Sequence, residues 1–70
     1  MINEKIYMSA RLFRLFCENK NIEPKAANEL FNLCGIWDYI DNAYEILHLN
    51  GDDDALSDIF EIMTSKGVLL

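Results

Sequence analysis

One proline and three isolated glycines divide this chain. Pro24, Gly35, Gly51 and Gly67 are the only residues of their kinds, and between them apolar residues recur at helical spacing. Proline suits the first turn of a helix and glycine suits the residue just past its end, so this punctuation predicts short helices joined by tight corners. Over residues 3–20, Ile6, Ala10, Phe13, Phe16 and Cys17 fall on a helical stripe, widened by Met8, Leu12 and Leu15. Tyr7, Arg11, Arg14 and Glu18 are expected on the wetter side.

A second helix is predicted from Pro24 to Leu33, with Glu23 as a weak N-cap and Ile22 and Ala27 at the positions of a hydrophobic staple. It buries Ala27, Leu30, Phe31 and, at its end, Cys34. Gly35 then stands where a left-handed backbone is wanted. A third helix is expected over Trp37–Leu49, its core stripe marked by Ile36, Ile40, Ala43, Tyr44 and Leu47 and its end by Asn50-Gly51. Asp52, Asp53 and Asp54 bring carboxylates to the positive end of a fourth helix dipole. Leu56, Ile59, Phe60 and Met63 form the core face of that helix, Gly67 closes it, and Val68, Leu69 and Leu70 make a short apolar tail. No strand-like alternation or repeat intervenes. The expectation is one all-α domain over residues 1–70, a compact bundle of four short helices.

At 70 residues with 51% apolar content, the chain buries only roughly 60% of the surface its unfolded form exposes. That apolar content points to a dense small core, an apolar face held for a partner, or both. Cys17 and Cys34 are too few for a disulfide scaffold. Charges at Glu4, Lys5 and Arg11 interrupt any signal-peptide core, and no apolar run reaches the ~20 residues of a membrane span. A cytoplasmic protein with no membrane association is expected.

Net charge is −6 and uneven. Residues 1–20 hold Lys5, Arg11, Arg14 and Lys20 against Glu4 and Glu18, giving +2. Residues 21–70 hold Lys25 and Lys66 against ten carboxylates, giving −8. An acidic body disfavours nucleic acid, whose affinity comes largely from cations neutralising phosphates, and favours a basic partner.

The stretch LFNLCGIWDYI, Leu30 to Ile40, has the helix–turn–helix form of many DNA readers. Its second helix would carry Asp38, Asp41 and Glu45 and no lysine or arginine, and Phe31 stands four residues before the turn glycine. A corner that builds the core is the better reading, and no nucleic acid is expected. A DNA-associated regulator would have to use Arg11 and Arg14. Glu45 and His48 form a Glu-x-x-His, the inward-facing pair of di-iron bundles. With one histidine in the chain, such a site needs a symmetric dimer; a homodimeric metal- or ligand-binding bundle is the alternative. GDDDALSDIFE resembles a calcium loop but lacks the required glycine at its sixth position. The cysteines sit mid-helix and at a helix C-terminus, the serines and threonine lack a base, and the glycines cradle no phosphate. A non-enzymatic protein without cofactor or metal is expected. The acidic stripe is more informative: Asp38, Asp41 and Glu45, spaced i, i+3, i+7, share one helix face. Trp37 and Tyr39 cannot both point inward with Ile36 and Ile40, so one of them is expected to be partly exposed as an interface anchor.

The run from Leu30 to Met63 resembles the small bacterial family called domain of unknown function 3791. The resemblance rests on Leu30, Phe31, Gly35, Ile36, Asp38, Tyr39, Ile40, Tyr44, Glu45, Leu47, His48, Gly51, Asp58 and Ile59. Glu23-Pro24 departs from the Ser-Gly frequent in relatives, and the aromatic that follows the second glycine there is missing from GDDDAL. Members are often encoded beside a larger ADP-ribosyltransferase-like protein of toxin character, so the resemblance implies an antitoxin- or immunity-like role. The expected function is therefore a protein–protein interaction module. It presents Trp37, Asp38, Tyr39, Asp41 and Glu45 to a basic protein, with homodimerisation through surface left over from the first helix or the tail as a companion.

Overall fold

The computed structural model describes residues 3–69. Five helices follow one another: α1 (Glu4–Lys20), α2 (Pro24–Leu33), α3 (Ile36–Asn42), α4 (Tyr44–Asn50) and α5 (Asp52–Ser65). No strand occurs among the described residues, so the all-α class holds, but with five helices where four were expected. The extra one comes from the predicted third helix, which is interrupted at Ala43 (φ −100°, ψ 13°). Hydrogen bonding resumes on either side: Ala43 N–H donates to the Tyr39 carbonyl, and Leu47 N–H to that of Ala43, each at 2.9 Å. Ile40 before the joint and Leu47 after it, seven residues apart, are both essentially fully buried.

α1 is about 25 Å long at 1.5 Å per residue and runs most of the 35 Å long axis. It packs on α2, α3 and α5, while α4 bridges α3 and α5. Asn3 caps α1, its side chain accepting from the Lys5 and Ile6 amides. Glu23 is the N-cap of α2 without making a side-chain bond, and Pro24 opens that helix. Gly35 (φ +67°) and Gly51 (φ +92°) take the backbone expected of them.

The buried core is Met8, Leu12, Phe16, Ala27, Phe31, Cys34, Ile36, Ile40, Leu47, Ala55, Leu56, Ile59 and Met63. The stripes of α2 and α5 run where expected, except that Leu30 and Phe60 are only half-buried and Ala55 joins the core. That of α1 is corrected. Met8, Leu12 and Phe16 point inward, whereas Ile6 and Ala10 are exposed and Phe13 and Cys17 only half-buried. Both i, i+4 series fit a helix, and the partners supplied by α2, α3 and α5 decide between them. Val68 folds back, its N–H donating to the Met63 carbonyl at 3.0 Å; Leu69 is exposed and Leu70 lies outside the described residues.

Aromatic rings tie the elements together. Phe31 meets Phe13 edge-on at 5.2 Å, Phe16 at 5.2 Å and Trp37 at 4.8 Å between ring centroids, and Phe16 continues to Phe60 at 5.7 Å. Removing the Phe31 ring opens a cavity where α1, α2 and α3 meet, so Phe31→Ala is expected to cost about 3–5 kcal/mol in urea unfolding. Gly35→Ala is expected to cost only about 1–2 kcal/mol of left-handed backbone strain, since a Cβ at that position meets no atom within 4 Å.

Candidate functional site

Three of the four long-range polar contacts among the described residues involve α1. Arg11 grips Asp52 with both arms: Nε donates to Oδ2 at 3.0 Å and Nη2 to Oδ1 at 2.9 Å. Both side chains are about one-third exposed, which makes this forked pair stronger than an ordinary surface bridge. It ties the middle of α1 to the first turn of α5, where Asp52 also meets the positive end of the helix dipole. Lys5 pairs with Asp41 at 3.7 Å in an exposed setting. The Tyr44 hydroxyl donates to Glu4 Oε2 at 2.8 Å. These two contacts bracket the joint at Ala43. A fourth joins α3 to α5: the Tyr39 hydroxyl donates to Asp58 Oδ2 at 3.1 Å. The partners in these four contacts lie far apart in sequence, and no local pattern announces them.

The predicted partner-binding residues are placed as follows. Asp38, Asp41 and Glu45 are all exposed. The joint at Ala43 breaks the single helical register expected to align them, yet Asp41 and Glu45 still border one surface depression with Lys5 and Ile46. Asp41 also borders a cleft of about 370 Å³ with Ile6, Ala10 and Trp37. Neither Trp37 nor Tyr39 is fully inward: both are half-buried, so the partial exposure expected of one of them is shared by the two. Trp37 lies against Phe13 and Phe31 and shows an edge to the cleft. Tyr39 turns to the other flank and is committed to Asp58, apart from the Trp37 side.

Glu45 and His48 are exposed on α4 and do not face inward. The His48 ring stacks on that of Tyr44 at 5.5 Å and 14°. Among the described residues, no group of three or more His, Cys, Asp or Glu side chains is placed to hold a metal ion. Both cysteines are free, Cys34 buried and Cys17 half-buried, and burial is the main cause raising the Cys17 thiol above its ordinary 9.0. No helix is long and apolar enough to cross a membrane among the described residues.

Residues 36–65 hold eight carboxylates and no lysine or arginine. Among the described residues, only Asp41 and Asp52 of these eight are paired with a cation, in each case one supplied by α1. The remaining six leave the α3–α5 side of the molecule strongly negative.

A small all-helical domain with an acidic side is thus defined by its geometry. The chain belongs to the family described as protein of unknown function DUF3791, whose sequence profile matches residues 8–66. No curated protein and no solved structure matches it.

Tyr39 supplies a titratable reporter of the α3–α5 contact. Burial first, then its hydrogen bond to Asp58 and the charges of Asp58 and Glu61, raise its phenol above 10.0. The fold therefore favours the neutral phenol, so this contribution is intact below about pH 10 and is lost as pH rises through the folded value. Tyr44 is raised as well, chiefly by its bond to Glu4. Tyr39→Phe is expected to remove one of two late-ionising phenols from an absorbance titration at 295 nm and to lessen alkaline destabilisation.

Proposed function

We propose that the protein is a non-enzymatic interaction module that presents the outer surface of α3 and α4 to a basic protein partner. The observation that carries this reading is the composition of that surface. Asp38, Asp41 and Glu45 are exposed within a 30-residue span without a single lysine or arginine, and the edge of Trp37 lies beside Asp41 in an apolar cleft. Exposed carboxylates around a rigid aromatic steer a cationic partner and give it an apolar anchor. Tyr39, occupied with Asp58, contributes by holding α3 in place.

The same charge distribution argues against nucleic acid. Of the two arginines that a DNA-associated regulator would use, Arg11 is held by Asp52 and Arg14 shares the outer face of α1 with Glu18. A cytoplasmic bacterial setting and an antitoxin- or immunity-like role towards an ADP-ribosyltransferase-like protein, as the family resemblance implies, suit an acidic cover for a basic cleft.

The test is affinity capture from a native lysate, with the bound proteins identified by mass spectrometry. A basic protein is expected on the wild-type bait, lost at high salt. It is expected to fall at least about tenfold on the bait carrying Asp38→Lys, Asp41→Lys and Glu45→Lys. Equal capture by both baits removes the acidic surface from the reading.

A further inference from the structure

The outer face of α1 carries a different pattern. Asn3, Tyr7, Ala10 and Arg14 follow at spacings of four, three and four, the interval of a two-helix seam. All four are exposed, as is Glu18 one turn further on. Tyr7 is 65% exposed and its neighbour Ile6 67%, so the longest helix keeps apolar surface outside the core. Lys5 and Arg11, the other cations in this half of α1, point to either side and are taken by Asp41 and Asp52. The face itself is left with one cation, Arg14, and one anion, Glu18, in a protein of net charge −6.

We infer that this face is a self-association surface, and that its occupant is α1 of a second copy, lying antiparallel about a two-fold axis beside Ala10. An isologous contact must be complementary to itself, and this face meets that condition. A helix turned end for end about a point between residues 10 and 11 sets residue i opposite residue 21 − i. Tyr7 then meets Arg14 of the second copy, a ring against a guanidinium. Asn3 meets Glu18. The cap of α1 uses the Asn3 carbonyl oxygen as its acceptor, so the amide N–H group remains to donate to that carboxylate, which also sits at the positive end of the facing helix. Ala10 falls at the crossing, where a small side chain lets the two backbones approach. Each contact is made twice, and no like charges are opposed. The strongly acidic α3–α5 side is a poor alternative, since pairing it with itself sets carboxylates against carboxylates. The inference goes beyond the proposed function; Asn3 and Ala10 also border the Trp37–Asp41 cleft, so Tyr7→Ala, which lies outside that cleft, is the variant that separates the two readings.

Sedimentation velocity and light scattering at physiological salt, over about 5 to 200 μM protein, test it by mass action. The expected result is a concentration-dependent shift from the 8.1 kDa monomer to a species of twice that mass. Ala10→Glu, which places a carboxylate on the two-fold axis, and Tyr7→Ala are each expected to raise the dissociation constant at least roughly tenfold, with helicity by circular dichroism unchanged because both positions are exposed. In a Cys17→Ser background, Ala10→Cys is expected to form an inter-chain disulfide on mild oxidation far faster than Leu49→Cys, which lies on α4 and is 82% exposed. A monomer at every concentration, a dimer indifferent to both Ala10→Glu and Tyr7→Ala, or equal cross-linking at positions 10 and 49 overturns it.

Discussion

The arrangement of this domain depends on the packing of rings around Phe31. Phe13 and Phe16 reach it from α1, Trp37 reaches it from α3, and Phe60 joins from α5 through Phe16. Three of these contacts are edge-to-face, the geometry in which the positive edge of one ring meets the negative face of another, and the fourth is tilted; such pairs add to simple area burial. For a chain with room for only one small core this matters, because a few large side chains remove more apolar surface from water than many small ones. The cluster also fixes the rotation of α1. With Phe16 directed at Phe31 and Phe60, Met8 and Leu12 must follow inward, and Ile6 and Ala10 must turn out.

That rotation marks the boundary of what could be read from the amino-acid order. Pro24 opens α2, Gly35 and Gly51 turn the chain, and Leu56, Ile59 and Met63 line the inner face of α5, because those features are local: a missing N–H, an absent Cβ, a repeat of 3.6. In α1, where apolar residues occupy more than half the circumference, periodicity alone offered two stripes. Only tertiary partners select between them. The joint at Ala43 was hidden as well. No proline or glycine marks it, and alanine is itself a strong helix former. At the candidate site, the exposure of Asp38, Asp41 and Glu45 followed from their polarity, whereas the withdrawal of Tyr39 towards Asp58 and the pairing of Asp41 with Lys5 depend on residues 19 and 36 positions away.

Charge is sorted in this molecule as sharply as hydrophobicity. The four cations of the first helix are divided among three tasks: Lys5 and Arg11 reach across to acidic helices, Lys20 lies over the Phe60 ring, and Arg14 stays on the outside. The forked Arg11–Asp52 pair does more than neutralise. It holds the start of α5, where three consecutive aspartates would otherwise repel one another, against the middle of α1. The acidic side is therefore organised by the least acidic helix, and of the two surfaces proposed for contact one is strongly negative and the other carries balanced charge.

The joint at Ala43 leaves two seven-residue helices in sequence, each well below the length at which a helix holds itself together in water. α3 is anchored by two buried isoleucines and the flanking Trp37 and Tyr39. α4 has one fully buried side chain, Leu47, and exposes Ile46 and Leu49. Its order is borrowed from its neighbours, so its amide hydrogens are the ones that exchange with solvent through the smallest local opening, while those of α1 and α5 wait for larger excursions. The segment bearing Glu45 and His48 is thereby the cheapest part of the protein to reshape, and a binding partner can refit it without disturbing the ring cluster that holds the other helices.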